Sequence, residues 1–139
     1  MDTLQNEKNF GNLVVQVSAA SGAVPIKGAG VIVRSTNENG MSQIIGVLQT
    51  DESGITQPIA IPTPPLAESL EPGGKKPYSE IMTEVFANGY YATVNLNIPI
   101  YPGITSIQPV TLIPLPNSAY GTQPARDVVI HNDKQRPSL

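Results

Sequence analysis

Apolar residues in this chain recur at every second position, in short runs that end at glycine, proline or asparagine. A period of two places alternate side chains on one face of an extended backbone, so each run reads as a strand with one buried side. Leu13, Val15 and Val17 alternate with Gln16 and Ser18 and predict a strand over 12–19. Val31 and Val33 alternate with Ile32 and Arg34 over 29–36, and Asn37-Glu38-Asn39-Gly40 closes a hairpin into a third strand at 42–50. Asp51-Glu52-Ser53-Gly54 is the next turn. Ile55, Ile59 and Ile61 then share parity over 55–61, where Pro58 puts part of the run at an edge.

The second half repeats the pattern. Ile81, Thr83 and Val85 share a face over 78–87, and Asn88-Gly89 turns into 91–98, where Ala92, Val94, Leu96 and Ile98 align. Pro102-Gly103 turns again, and 104–115 is a seventh strand broken by Pro109 and Pro114. Seven short strands with turn signals between them predict an all-β, antiparallel Greek-key β-sandwich. No helical window competes, since the best candidate, Leu66 to Leu70, is short and hemmed in by prolines. The chain divides into a polar tail (1–10), the sandwich (11–115) and an extension (116–139) whose apolar island Val128-Val129-Ile130 predicts a short strand near 127–131.

Composition narrows the chemistry. Charged residues make up 14% of the chain and the net charge is −3, so counterion release cannot drive nucleic-acid binding. Cysteine is absent, which removes disulfides, thiolate nucleophiles and thiolate metal sites. No apolar run is long enough to cross a membrane as a helix. The N-terminus MDTLQNEKNF lacks a charged segment followed by an apolar one, so synthesis without a secretory signal peptide is expected.

Candidate chemistry is sparse. The single histidine, His131, lies in the polar extension with no partner ligands at metal spacing, and reads as a solvated tail residue. No serine occupies a Gly-x-Ser-x-Gly elbow. Asp51 and Glu52 read as turn formers, and Glu80 and Glu84 as members of a solvated strand face with Met82 and Phe86, rather than as a glycosidase pair. An isopeptide bond from Lys27 or Lys75 has no marked asparagine partner. No catalytic residue, metal site or cofactor is therefore assigned, and the chain is expected not to be an enzyme. Tyr78, Tyr91 and Tyr101 are candidate glycan contacts, because tyrosine offers a flat apolar face with a polar tip.

Four segments resemble the carboxypeptidase regulatory-like domain, a transthyretin-like (prealbumin-like) seven-stranded sandwich: residues 11–17, 24–33, 48–54 and 85–90. Ile61-Pro62-Thr63-Pro64-Pro65, Lys76-Pro77-Tyr78, Ile100-Tyr101-Pro102-Gly103-Ile104 and Gln108-Pro109-Val110 are similar to the modules of clostridial spore cortex-lytic and peptidoglycan-binding proteins. Unlike those proteins, this chain is expected to lack a catalytic or repeat-type wall-binding domain after residue 115. Enzymes of the transthyretin-like hydrolase type need His and Arg clusters, whereas this chain has one His and arginine only at 34, 126 and 136.

The resemblance implies a Gram-positive spore or cell surface, with the mother-cell cytoplasm as fallback. Polar termini stay ordered only when something holds them. The expected function is a self-assembling structural subunit of a fibre or layer. It would be a homo-oligomer or filament joined by tail or strand exchange through Leu4, Phe10, Val128, Val129 and Ile130. The alternative is a peptidoglycan- or glycan-binding module that uses the tyrosines and the proline-rich loop 62–77.

Overall fold

In a computed structural model the residues described are 9–36, 40–64 and 78–116, with the backbone of 128–131. Nine strands follow in chain order: β1 (Phe10–Ala19), β2 (Val24–Pro25), β3 (Gly30–Thr36), β4 (Ser42–Gln49), β5 (Ile59–Pro62), β6 (Ser79–Phe86), β7 (Thr93–Ile100), β8 (Thr105–Thr111) and β9 (Val128–His131). They form two sheets, so the all-β sandwich expected from the spacing is present.

β1 is the spine of the first sheet. One of its edges pairs antiparallel with β5 near its start and β2 near its end, and Val17 N–H reaches Gly54 O (2.7 Å) between them. Its other edge pairs in parallel with β8 from Asn12↔Thr105 to Ser18↔Thr111. The second sheet has the order β4-β3-β6-β7-β9, antiparallel except for the parallel β7–β9 pair. Two parallel pairs thus modify the purely antiparallel expectation. Both arise where the chain crosses from one sheet to the other before pairing, since parallel neighbours need a long connection.

Leu13, Val15 and Val17 of β1 face Val31, Val33, Ile81, Val85, Ile98 and Ile100 of the second sheet, with Val110 and Leu112 completing the core. Each fully buried aliphatic side chain contributes roughly 1.5–3 kcal/mol. Two buried threonines lock the core to the turns. Thr50 Oγ1 donates to Ile26 O (2.6 Å) and accepts from Ala29 N–H (2.8 Å). Thr56 Oγ1 accepts from Val15 N–H (3.0 Å).

β7 departs from the sequence expectation. The alternation aligns Ala92, Val94 and Leu96 with Ile98, but Thr93 and Asn95 share the inner face with Val85 and Thr83, while Val94, itself buried, and Leu96 lie on the other face. Between the pairs Ile81↔Ile98 and Thr83↔Asn95, β7 carries one residue more than β6. This bulge, with Asn97 at φ 61°, switches the parity so that Ile98 and Ile100 regain the core. A parity argument cannot see an inserted residue.

Candidate functional site

One end of the sandwich gathers most of the aromatic side chains expected to matter. β6 begins and β7 finishes there, which places Tyr78 and Tyr101 together with ring centroids 5.2 Å apart and planes tilted by 48°. Phe10 opens β1 at the same end, paired with Pro62, and its carbonyl accepts from Gly103 N–H (2.8 Å). Ser79 Oγ donates to Pro62 O (2.7 Å), tying the first residues of the long loop to this end. Phe10 and Tyr101 are each a little over one-third exposed. Tyr91 lies at the opposite end, where its N–H bonds Ile113 O (2.9 Å), so the three-tyrosine platform reduces to a pair.

The expected assembly residues divide. Val128, Val129 and Ile130 form a strand, as the apolar island predicted, and pair in parallel with Thr93, Val94 and Asn95 of the same chain. The backbone of His131 pairs with Leu96. Leu4 and residues 65–77, Lys75 included, lie outside the described residues. The acids are placed as read: Asp51 Oδ1 caps its turn, and Glu84 on the outer face of β6 meets Arg34 Nη1 at 3.2 Å. Among the described residues no group of three His, Cys, Asp or Glu side chains is placed to hold a metal ion. No helix among them is long and apolar enough to cross a membrane.

The sheet edges were not legible in advance. β9 covers β7 at one edge of the five-stranded sheet. β8, one edge of the other sheet, carries Pro109, which cannot donate to an incoming strand, and β2 and β5 on the opposite edge carry Pro25 and Pro62. Among the described residues β4 has β3 on one side and no strand on the other. Residues 41–50, MSQIIGVLQT, contain no charge and no proline, and Met41, Ile44 and Val47 are more than half exposed. Edges are normally blunted by lysine, proline or a bulge. β4 has only an extra residue near Ile45, where its register against β3 shifts. Beside this edge runs a shallow groove of about 620 Å³ over Gly30, between Val47, Gln49 and Phe86.

No protein-family model and no curated protein sequence matches the chain. Solved structures do. (S)-allantoin synthase superposes with a TM-score of 0.53 at 13% identity, over 80% of this chain and 43% of that one. Hydroxyquinol 1,2-dioxygenase from Pseudomonas putida DLL-E4 gives 0.50 at 16% identity, over 76% and 57%. The Bacillus anthracis TIE protein gives 0.47 at 16% identity, over 77% and 17%. The chain therefore spans less than two-thirds of each, and the likeness is one of fold.

Two expectations change. The family resemblance narrows to a β-sandwich, because no family model supports the finer name. The expectation that the chain is not an enzyme is overturned by the first two matches: sandwiches of this fold occur in a synthase and a dioxygenase. That expectation rested on looking for triads and metal spacings in one chain, and a fold shared with enzymes removes its footing.

Proposed function

We propose that the chain is a self-assembling subunit of a fibre or layer, joined copy to copy by strand addition to its sheet edges. The single observation that carries this reading is β4, which has no strand beyond it among the described residues, contains no charge or proline, and exposes Ile44 and Val47. Unpaired N–H and C=O groups on such a strand are a template for another strand, and a second copy supplies an equally uncharged one. β9 adds a route for exchange. It is a four-residue strand at the end of a long connection, so the same pairing with β7 can form within a copy or between two. Placement at a spore or cell surface rests on the segments similar to carboxypeptidase regulatory-like modules.

Sedimentation and electron microscopy of the purified full chain test the reading. Assemblies that grow with concentration are expected, and Val47→Lys should return them to monomers. A wild-type chain that stays monomeric at high concentration overturns it.

A second reading, glycan binding, is favoured by one observation, the Tyr78–Tyr101 pair at the end of the sandwich. Stacked sugars need an exposed aromatic face. Co-sedimentation with purified peptidoglycan, lost in Tyr101→Ala, is the expected result. Protein left in the supernatant rejects it.

A further inference from the structure

Three buried oxygens on the inner face of β6 and β7 have no hydrogen-bond partner: Thr83 Oγ1, Thr93 Oγ1 and Asn95 Oδ1. Their residues are 0%, 0% and 1% exposed. They are neighbours. Thr83 stands directly opposite Asn95 in the register, and Thr93, two residues along β7, is its diagonal neighbour. Side chains placed so have Cβ atoms about 4.5–5.5 Å apart when directly opposite and somewhat less than about 7–8 Å apart on the diagonal. The bulge follows Asn95 immediately, and β9 runs along the far side with Val128 opposite Thr93 and Ile130 opposite Asn95.

We propose that this triangle is a binding site for one internal water molecule, bonded to all three oxygens. An unsatisfied buried polar group forfeits its hydration with nothing in return, and three in one place would remove a large part of the net stability of a small domain. A single water can give each of the three oxygens one bond. It accepts from one threonine hydroxyl and donates to Asn95 Oδ1 and to the other threonine oxygen. Three bonds is the usual number for a buried water. Calcium or magnesium does not fit, since either takes six or more oxygen ligands with carboxylates among them, and these three oxygens are neutral. An apolar guest does not fit either, because it would leave every oxygen unbonded. The water would stitch β6 to β7 where the bulge interrupts their ladder.

The test is a high-resolution crystal structure of the full chain, together with unfolding equilibria of variants. Density for one solvent atom within hydrogen-bond distance of all three oxygens is expected. A direct Thr83–Asn95 hydrogen bond with no solvent density, or a site occupied only by a monovalent cation, overturns the proposal.

The variants give an independent sign. With the water present, Thr83→Val removes one of its partners and should raise the unfolding constant about five- to ten-fold. The triple variant Thr83→Val, Thr93→Val, Asn95→Leu should recover much of that loss. Without the water, Thr83→Val deletes an unsatisfied hydroxyl and lowers the unfolding constant. Should Thr83→Val not fold, Thr93→Val carries the same two opposite expectations.

Discussion

The ring of Phe86 lies across Gly30 on the neighbouring strand, so closely that a Cβ on Gly30 would stand 2.5 Å from Phe86 Cζ. A glycine inside a strand weakens it, because it has no side chain to pack and gains freedom on unfolding. An aromatic ring laid over it from a paired strand covers the bare backbone and offsets the loss. Phe86→Ala should therefore cost about 1 kcal/mol although the ring is nearly half exposed. Gly30→Ala should displace the ring rather than add stability. Urea denaturation of both single variants and the double variant checks this. The expected coupling is at least roughly 0.5 kcal/mol, and independent effects would refute it.

Asp51 closes its turn with one oxygen. Oδ1 accepts from Ser53 N–H (2.8 Å) and Ile55 N–H (3.0 Å), while the backbone carbonyl accepts from Gly54 N–H (2.9 Å). Asp51→Ala should destabilise the chain by roughly 1–2 kcal/mol. Gly54→Ala should be worse, by more than about 2 kcal/mol. Gly54 has φ +78°, and a Cβ there would run into the carbonyl of Val17. Chemical denaturation ranks the two, and the opposite order would refute the reading.

The same turn shows what was legible in the sequence. Asp51, Ser53 and Gly54 are local signals, and the chemistry of a turn is contained in the residues that make it. Leu13, Val15 and Val17 were equally readable, because alternation reports burial directly. The lapse at β7 has a different cause: the extra residue between Asn95 and Ile98 is set by pairing with β6, and no local pattern marks it. The site followed the same division. Tyr78 and Tyr101 could be named as aromatic residues, but their meeting depends on β6 and β7 being antiparallel neighbours. The bareness of residues 41–50 was visible as composition. That this run is an edge among the described residues is a property of the sheet order alone.

Thr50 is the threonine whose loss should be felt most. Its buried hydroxyl joins Ile26 O and Ala29 N–H across the entry to β3, at 2.6 and 2.8 Å. Thr50→Val keeps the shape and leaves both backbone groups buried and unpaired, at a cost of roughly 2–4 kcal/mol. Thr56→Val, which strands only Val15 N–H, should cost about half as much. Thermal melts of the two variants measure the difference, and equal melting temperatures would show that the second Thr50 bond contributes nothing.

The expected response of the proposed assembly to salt follows from where the charges are not. The net charge is −3, so copies repel weakly at long range, while residues 41–50 carry no charge at all. Arg34, opposite Ile44 in the β3–β4 register, is already paired with Glu84 within the chain. Raising ionic strength from about 0.01 M to about 1 M shortens the screening length from roughly 30 Å to roughly 3 Å. That removes the repulsion and leaves strand pairing and apolar contact intact. Light scattering should therefore show assemblies that hold or grow as salt is added. Dissolution by salt would mean that ion pairs join the copies, and the β4 edge would lose its role.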